Sequence, residues 1–522
     1  HQMRRMHRYR ANNITNSMWK DFASSLIDRA NQHSVLNQME AIYKIVTERT
    51  RLQAKPFVES LVDYYQLSKD NQRCEMTTSP QQTFIEFFRK MFAAETKTYI
   101  LVAFAYQLLN TLDGTQKYET ELKLQTEYYF NRSAHFEKLM LDHAKKVSRD
   151  YWVCNPSVNE HTTFQMNKFI YGYMDIESDL TGTCTGTCNL RLQRGIVAMT
   201  NEVQRKCVGL VSHCRTTSDQ TFEYCFAKNE EASYMYEYIK NDVIKRGSKE
   251  MCSSDINPLQ HKHAYTAGFV KCDYCVCECE SEDDETHRYL SLLPQMSNIV
   301  ENKVIVGMKF TKYETKLISL QVKEAPLQPY GYVDETKAEW RDLDPMLLPN
   351  TYWDYPGYHI MSGKLRAIRM KKLEGPLHTV LTGIKFIVVN GVPDISIRHT
   401  YFNFTSGVMQ PEKSYWITET HDDPKPIDYN GLPEPGACAT LFPDTKSGQK
   451  ILFGHNGLGD AGSKVVPFFD SQPVVPDKPL ALSGAGILHK GAQNCGGLVA
   501  PVVTTLPEQY IVDANIDRPN KP

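Results

Sequence analysis

Val304-Ile-Val-Gly-Met-Lys-Phe310 and Val380-Leu-Thr-Gly-Ile-Lys-Phe386 are the two stretches that decide the fold. They share one pattern, lie 76 residues apart, and are followed by Leu317-Ile-Ser-Leu-Gln-Val322 and Asp394-Ile-Ser-Ile-Arg398. Alternating apolar residues mark strands, and the matched glycines predict equivalent bends or bulges. Residues 291–425 are therefore read as a β domain with a two-fold internal repeat: a sandwich, barrel or prism.

Toward the N-terminus the apolar period changes from two to 3.6. Asn16 and Ser17 are N-cap candidates ahead of Trp19, Phe22 and Leu26. Val35, Met39, Ile42 and Val46 extend the stripe, and Pro56 opens a helix to Leu67. Residues 81–109 are apolar nearly all round, as expected for the buried centre of a bundle. Asp113-Gly114 is a turn, and a further helix is expected over 117–150, with Leu122, Tyr129, Phe136, Met140 and Val147 on one face. Residues 1–150 thus read as a helical bundle. The longest apolar run, YILVAFAY at 99–106, has eight residues, against the roughly 20 that a membrane-crossing helix needs. No transmembrane segment is expected.

Eleven of the 14 cysteines crowd between Cys154 and Cys279: Cys154, Cys184, Cys188, Cys207, Cys214, Cys225, Cys252, Cys272, Cys275, Cys277 and Cys279. With Cys74, Cys438 and Cys495, all are assigned to disulfides, Cys438 and Cys495 to each other. Disulfides persist in oxidising compartments. Sequons at Asn13, Asn131 and Asn403 point the same way. The chain opens on His1, read as the mark of an N-terminal segment removed or omitted; the basic start HQMRRMHRYR is read as a disordered tail, with the remnant of a propeptide cut near Arg4-Arg5 as the alternative. A secreted, extracellular glycoprotein is the expectation. Residues 151–290 are read as a disulfide-stapled, partly helical region, with helical patches at 192–214 and 230–245 and Cys207 and Cys214 on one helix face. Residues 426–522, rich in proline and glycine, are read as an extended arm packed on the β domain. The fold class is α+β.

Net charge is −2 with 41% hydrophobic and 23% charged residues, so no field draws the chain to nucleic acid.

Cys272-x-x-Cys-x-Cys-x-Cys279, Arg288-Tyr-Leu-Ser-Leu292, the two Gly-apolar-Lys-Phe repeats, Asp470-Ser-Gln-Pro-Val474 and Leu482-Ser-Gly-Ala-Gly-Ile-Leu-His-Lys490 together resemble a family of secreted insect proteins with no assigned function. The resemblance covers roughly residues 270–500 and implies an extracellular arthropod protein; it carries over no catalytic residue. The repeats also look like β-prism proteins, which often bind sugars.

His261 and His263 with Cys272, Cys275, Cys277 and Cys279 offer zinc-type ligands. Yet Cys275, Cys277 and Cys279 alternate, so on a strand they point one way and suit separate disulfide partners; no metal is expected. The acidic run Glu278 to Glu285 lacks a calcium-loop pattern and reads as a solvated loop. Ser483-Gly-Ala-Gly486 lacks a nucleophile elbow, and Gly457-x-Gly459 lacks a dinucleotide context. His455 and His489, placed in loops, are taken as structural. Tyr352, Trp353, Tyr355 and Tyr358 form an aromatic loop suited to stacking on a sugar or a protein; Trp340 and Trp416 are assigned to the core. The expected function is non-enzymatic, without cofactor: extracellular binding or structural support through the β domain, toward glycans or extracellular proteins, with a homo-oligomer compatible. The alternative is a membrane-active, toxin-like protein using residues 84–109.

Overall fold

A computed structural model describes residues 15–49, 54–67, 76–154, 156–159, 161–166, 170–188, 207, 209–216, 222–226, 236–240, 245–252, 257–259, 265–267, 270–281, 287–313, 317–342, 357–362, 365–419, 424–456 and 464–507. The chain divides into a helical unit running to Arg149 and a second unit, Asp150–Leu506.

The helical unit holds α1 (Asn16–Ile27), α2 (Val35–Thr47), α3 (Phe57–Leu67), α4 (Pro80–Asp113) and α5 (Glu119–Ala144). Thr15, one residue earlier than expected, caps α1 by accepting from Met18 N at 3.3 Å. Ser79 and Gln82 form a reciprocal capping box on α4, which ends at Gly114 with φ 63°. Phe84, Ile85 and Phe88 of α4 pack with Val46 of α2, Val58, Val62 and Tyr65 of α3 and Phe136 of α5. The centre of α4 departs from the expectation of an enclosed apolar rod: Ile100 is 58% exposed, while Glu95 is fully buried. Arg132 Nε donates to Glu95 Oε1 at 2.6 Å. Burial pushes the Glu95 carboxyl up, and Arg132 works against that shift. No described helix is long and apolar enough to cross a membrane, and a buried ion pair at mid-helix does not favour a membrane-active α4.

After two short strands, Asp150–Tyr151 and Thr163–Phe164, that pair with the C-terminal sheet, the second unit forms a sheet cross-linked by disulfides. β1 (Ile170–Ile176) leads into a short helix, α6 (Glu177–Thr181). β2 (Gly209–Thr216) and β1 flank β3 (Tyr274–Ser281), both antiparallel to it. As their alternation predicts, Cys275, Cys277 and Cys279 reach three different partners: Cys188, Cys214 and Cys207. Cys272 takes Cys184. Cys225 and Cys252 close a neighbouring hairpin, and Cys154 is also disulfide-bonded. Cys74 lies outside the described residues. The helical patches are corrected here: Gly209–Thr216 and Tyr236–Lys240 are strands. The seven-residue gap from Cys207 to Cys214 matches two helical turns, but Cys214 sits on β2 facing Cys277 of β3, a long-range pairing that local spacing cannot show.

Between Tyr289 and Leu506, among the described residues, three sheets of four or more strands contribute to one cluster of buried side chains, together with a three-stranded sheet of Ala367–Arg369, Lys450–Leu452 and Ile427–Asp428. The first contains β4 (Tyr289–Ser291), the hairpin β5 (Lys303–Tyr313) and β6 (Leu317–Pro326), β7 (Glu339–Trp340) and β8 (Tyr358–Ile360), in the order β5-β6-β4-β8 with β7 on β6. β9 (Lys371–Glu374) belongs to the third sheet. The second is Gln295–Met296, β10 (Thr379–Val389), β11 (Val392–Asn403) and β12 (Val408–Ile417). The third is built on β13 (Phe468–Asp470), β14 (Leu482–Gly491) and β15 (Leu498–Thr505), in the order β9-β14-β15-β13 and then Thr163–Phe164.

Each of these three sheets contributes a hairpin with a bulge, two of them at the glycines expected to mark bulges. Register shifts between Ile305 and Gly307, between Leu381 and Gly383, and between Leu482 and Gly484. The third copy, Ala481 to Ile487, was not evident in the sequence. All three superpose in packing: Val304, Val380 and Ala481 share one cluster. Ile305, Leu381 and Leu482 share another with Met308, Ile384 and Ala485 and with Phe310, Phe386 and Ile487. The Phe310 and Phe386 rings are stacked 6.5 Å apart, and Phe469 meets Phe310 edge-on at 5.1 Å.

The proline- and glycine-rich stretch supplies the centre of the third sheet, since every residue of β15 is buried. Its glycines are needed for close approach: a Cβ on Gly486 would lie 2.1 Å from Lys371 O of β9. Cys438 and Cys495 are paired, as expected.

Candidate functional site: the outer face of the repeated hairpins

The bulge decides which side chains leave the core. Without the slip, Ile305, Gly307 and Lys309 would share a face; with it, Met308 and Phe310 follow Ile305 inward and Lys309 turns out. Leu381, Ile384, Phe386 and Lys385 repeat this. Each outward lysine meets a tryptophan: Lys309 Nζ lies 4.5 Å from the Trp340 ring centre, and Lys385 Nζ 4.2 Å from that of Trp416. Trp340 and Trp416 are therefore outer-face residues, half-buried beneath a lysine, not the core residues expected. Desolvation lowers the Lys309 ammonium below its usual range.

The two faces differ. Over the first, residues 474–475 lie so close that a Cβ on Gly307 would stand 2.5 Å from Val475 Cγ2. Over the second, the space above Gly383 is taken by Trp416, whose Cη2 would be 3.3 Å from such a Cβ, beside Arg398 and Met296. Arg398 stands opposite Trp416 in register. A half-exposed indole with a lysine over its ring and an arginine on the neighbouring strand is a surface that can meet a ring and pair with an anion.

Of the aromatic loop, Tyr352, Trp353 and Tyr355 lie outside the described residues. Tyr358 is half-buried on β8, edge-on to Tyr289 at 5.7 Å, with Arg288 6.0 Å from the Tyr289 ring. The opposite side of the same strand pair carries His359, whose Nε2 is buried without a hydrogen-bond partner; burial lowers its pKa, opposed by the Leu365 backbone. Tyr358 thus lies in the first sheet and Trp416 in the second. Asn403 is exposed at the end of β11, and Asn131 is exposed on α5. Asn13 lies outside the described residues.

His489 sits on strand β14, not in a loop, and is fully buried. Asp444 Oδ1 and Tyr429 Oη lie 2.7 and 3.0 Å from its Nδ1, and Gly496 O lies 3.1 Å from its Nε2. Burial, helped by Asp444, pushes the Tyr429 hydroxyl up. With both ring nitrogens committed to protein atoms, this cluster ties loops to β14 and has no free nitrogen for acid–base work. His455 is likewise buried, Nδ1 against Asn456 O at 2.6 Å. Cys272, Cys275, Cys277 and Cys279 are held in disulfides and are not thiolate ligands; His261, His263, Gly457 and Gly459 lie outside the described residues, as do Glu282 to Glu285.

Near the stapled sheet, a buried carboxylate fills a nest of amides. Glu177 accepts from Gly186 N at 2.8 Å, Thr185 Oγ1 at 2.9 Å, and the backbone of Thr185, Thr187 and Cys188 at 3.1 to 3.3 Å. Burial disfavours its charge, but the bonds from Gly186, Thr185, Thr187 and Cys188 outweigh it and hold the carboxyl below its ordinary range. The Thr-Gly-Thr-Cys repetition is thereby explained as a loop wound around its own anion.

The fold and this surface define a class: a disulfide-stapled α+β protein with a C-terminal β-rich unit that presents aromatic–basic pairs. Over residues 71–322 the chain is similar to the family described as Domain of unknown function (DUF4803). The match runs through the stapled sheet and ends in the first repeat hairpin. No curated protein matches the chain.

Proposed function

We propose that this is a secreted, non-enzymatic protein of the extracellular space that binds glycans or matrix through its β unit. The observation that carries the reading is the outer face of β10–β12, where Trp416 lies beneath Lys385 and opposite Arg398 in register. Tryptophan stacks on sugar rings, and two cations favour an acidic or sulfated glycan. The disulfides fit an oxidising compartment. Tyr358, with Tyr352, Trp353 and Tyr355, remains a proposed second contact set. The test is a glycan array that includes chitin fragments and sulfated chains. Saturable binding, reduced about tenfold or more by Trp416→Ala and by Lys385→Glu in proteins of unchanged Tm, is expected. An array with no binder, or binding indifferent to both substitutions, would remove the β10–β12 face from consideration.

A further inference from the structure

The turn after β11 carries the sequon Asn403-Phe404-Thr405. The turn is tightly held: Gly407 N donates to Asn403 O at 2.8 Å, and Ser406 N donates to Asn403 Oδ1 at 3.0 Å. Gly407 has φ 70°, and a Cβ there would lie 2.3 Å from Gln328 C. Phe404 is anchored by Tyr330, edge-on at 5.6 Å, and by Phe402 at 6.1 Å. The sequon's central residue thus packs down while Asn403 and Thr405 stay exposed. The Ser406 bond uses the amide oxygen of Asn403 and leaves Nδ2, the atom that carries a glycan, pointing away from that bond.

Two apolar side chains share the face of Asn403. Tyr401, two residues earlier on the same strand, is 38% exposed, and Val408, directly opposite Asn403, is 56% exposed. Residues i and i+2 of a strand stand on one side, roughly 7 Å apart. Lys413 Nζ approaches the Tyr401 ring at 6.0 Å, and Tyr415 at 6.4 Å between ring centres. An exposed tyrosine and valine beside an asparagine amide make a water-facing apolar surface next to the atom that would carry a sugar.

We propose that Asn403 carries an N-linked glycan whose first N-acetylglucosamine lies on the Tyr401 ring and covers Val408, so that the sugar is a structural part of the β11–β12 hairpin. The inference rests on the secretory compartment of the proposed function and not on its ligand. The amide Nδ2 displaces the lipid-linked diphosphate of an oligosaccharide donor, forming the N–C1 bond and losing one proton from nitrogen. The apolar face of the sugar then stacks on the tyrosine in place of water.

The test uses the full chain secreted from cultured animal cells behind a signal peptide. Peptide mass mapping should find Asn403 occupied. Trimming with an endoglycosidase to the single attached sugar should leave Tm unchanged; Thr405→Ala, which abolishes attachment and leaves Asn403 in place, should lower it by about 2–4 °C. In a Tyr401→Ala background, adding Thr405→Ala should lower Tm by less than 1 °C, because the stack is already lost. Comparison within each background removes any direct effect of the Tyr401 change. An unoccupied Asn403 in protein recovered from the medium overturns the inference and leaves the compartment intact. So does an equal effect of Thr405→Ala in the two backgrounds. Retention in the cell with disulfides unformed would count against the compartment itself.

Discussion

The stapled sheet β1–β3–β2 and the three-hairpin β unit are both antiparallel structures, but they hold their interiors by different means. Among the described residues, the core cluster on the disulfide-bearing face of the stapled sheet holds eight buried residues, five of them cysteine beside Tyr173, Leu180 and Val211. The main core cluster of the β unit has the reverse composition, with Phe310, Phe386, Phe453 and Phe469 surrounded by aliphatic side chains and, among the described residues, no cysteine; Cys438 and Cys495 belong to a separate, smaller cluster. Burying a full aliphatic or aromatic side chain contributes about 1.5–3 kcal/mol. A three-stranded sheet offers few such positions, and cross-links supply what burial cannot. The first region should therefore depend on redox state and the second on packing.

The largest effect should come from the sulfur core. Replacing both Cys214 and Cys277 with serine opens a loop of 63 residues and should cost the stapled sheet about 3–5 kcal/mol. Limited proteolysis would reveal it as cleavage within residues 170–281 while 303–505 stays intact. Cleavage spread evenly through both would break the distinction.

In the other region, Phe310→Ala should cost about 3–5 kcal/mol by chemical denaturation, and Phe386→Ala a similar amount, since the two rings occupy equivalent, stacked places. A large inequality between them would show that the repeat is one of shape and not of energetics.

Acid should reach the β unit through His399. This residue is fully buried, and burial lowers its pKa to about 4. Thr379 Oγ1 donates to Pro376 O at 2.7 Å, so the 2.9 Å contact with His399 Nδ1 assigns the ring proton to Nδ1. Below the ordinary value near 6.5 the unfolded chain takes up a proton that the folded chain refuses. Stability is thus full above pH 6.5 and falls by about 3 kcal/mol as pH drops toward 4. Denaturant titrations across that window should show the slope, and His399→Asn should flatten it.

Smaller still is the Glu177 nest. Its carboxyl pKa is depressed, so its contribution is present above the ordinary carboxylate value and is lost as pH falls through the depressed one. Glu177→Ala leaves the amides of Thr185, Gly186, Thr187 and Cys188 without their acceptor and should cost the stapled sheet about 1–3 kcal/mol, read by hydrogen exchange in 177–188.

How much of this was legible follows the same divide. The strands of the first two hairpins and their bulges could be read because alternation and glycine placement are local signals. The Cys275–Cys277–Cys279 alternation correctly separated three partners. The partners themselves, and strand β2, were not readable, because Cys214 faces a residue 63 positions away. The third hairpin was hidden because Gly486 and Ile487 stand where Lys and Phe stand in the other copies; β9 presses on Gly486 and leaves no room for a side chain. The spacing Ala481-Leu-Ser-Gly484 was the available clue. The outward position of Lys309 and Lys385 follows from the bulge, which reverses facing by one residue; Trp340 and Trp416 meet them from other strands, and composition alone would put tryptophan inside. Of the aromatic loop, Tyr358 is the described member, edge-on to Tyr289, while Lys385, Arg398 and Trp416 come from three successive strands, β10, β11 and β12, that only the fold aligns.

The most direct test of the contrast is hydrogen exchange by mass spectrometry with and without a phosphine reductant at neutral pH. Peptides from 170–176, 209–216 and 274–281 should lose protection on reduction, while those from 303–326, 379–403 and 482–505 keep it apart from the surroundings of Cys438 and Cys495. Simultaneous loss in both sets, or protection of the stapled strands that survives reduction, would contradict the account.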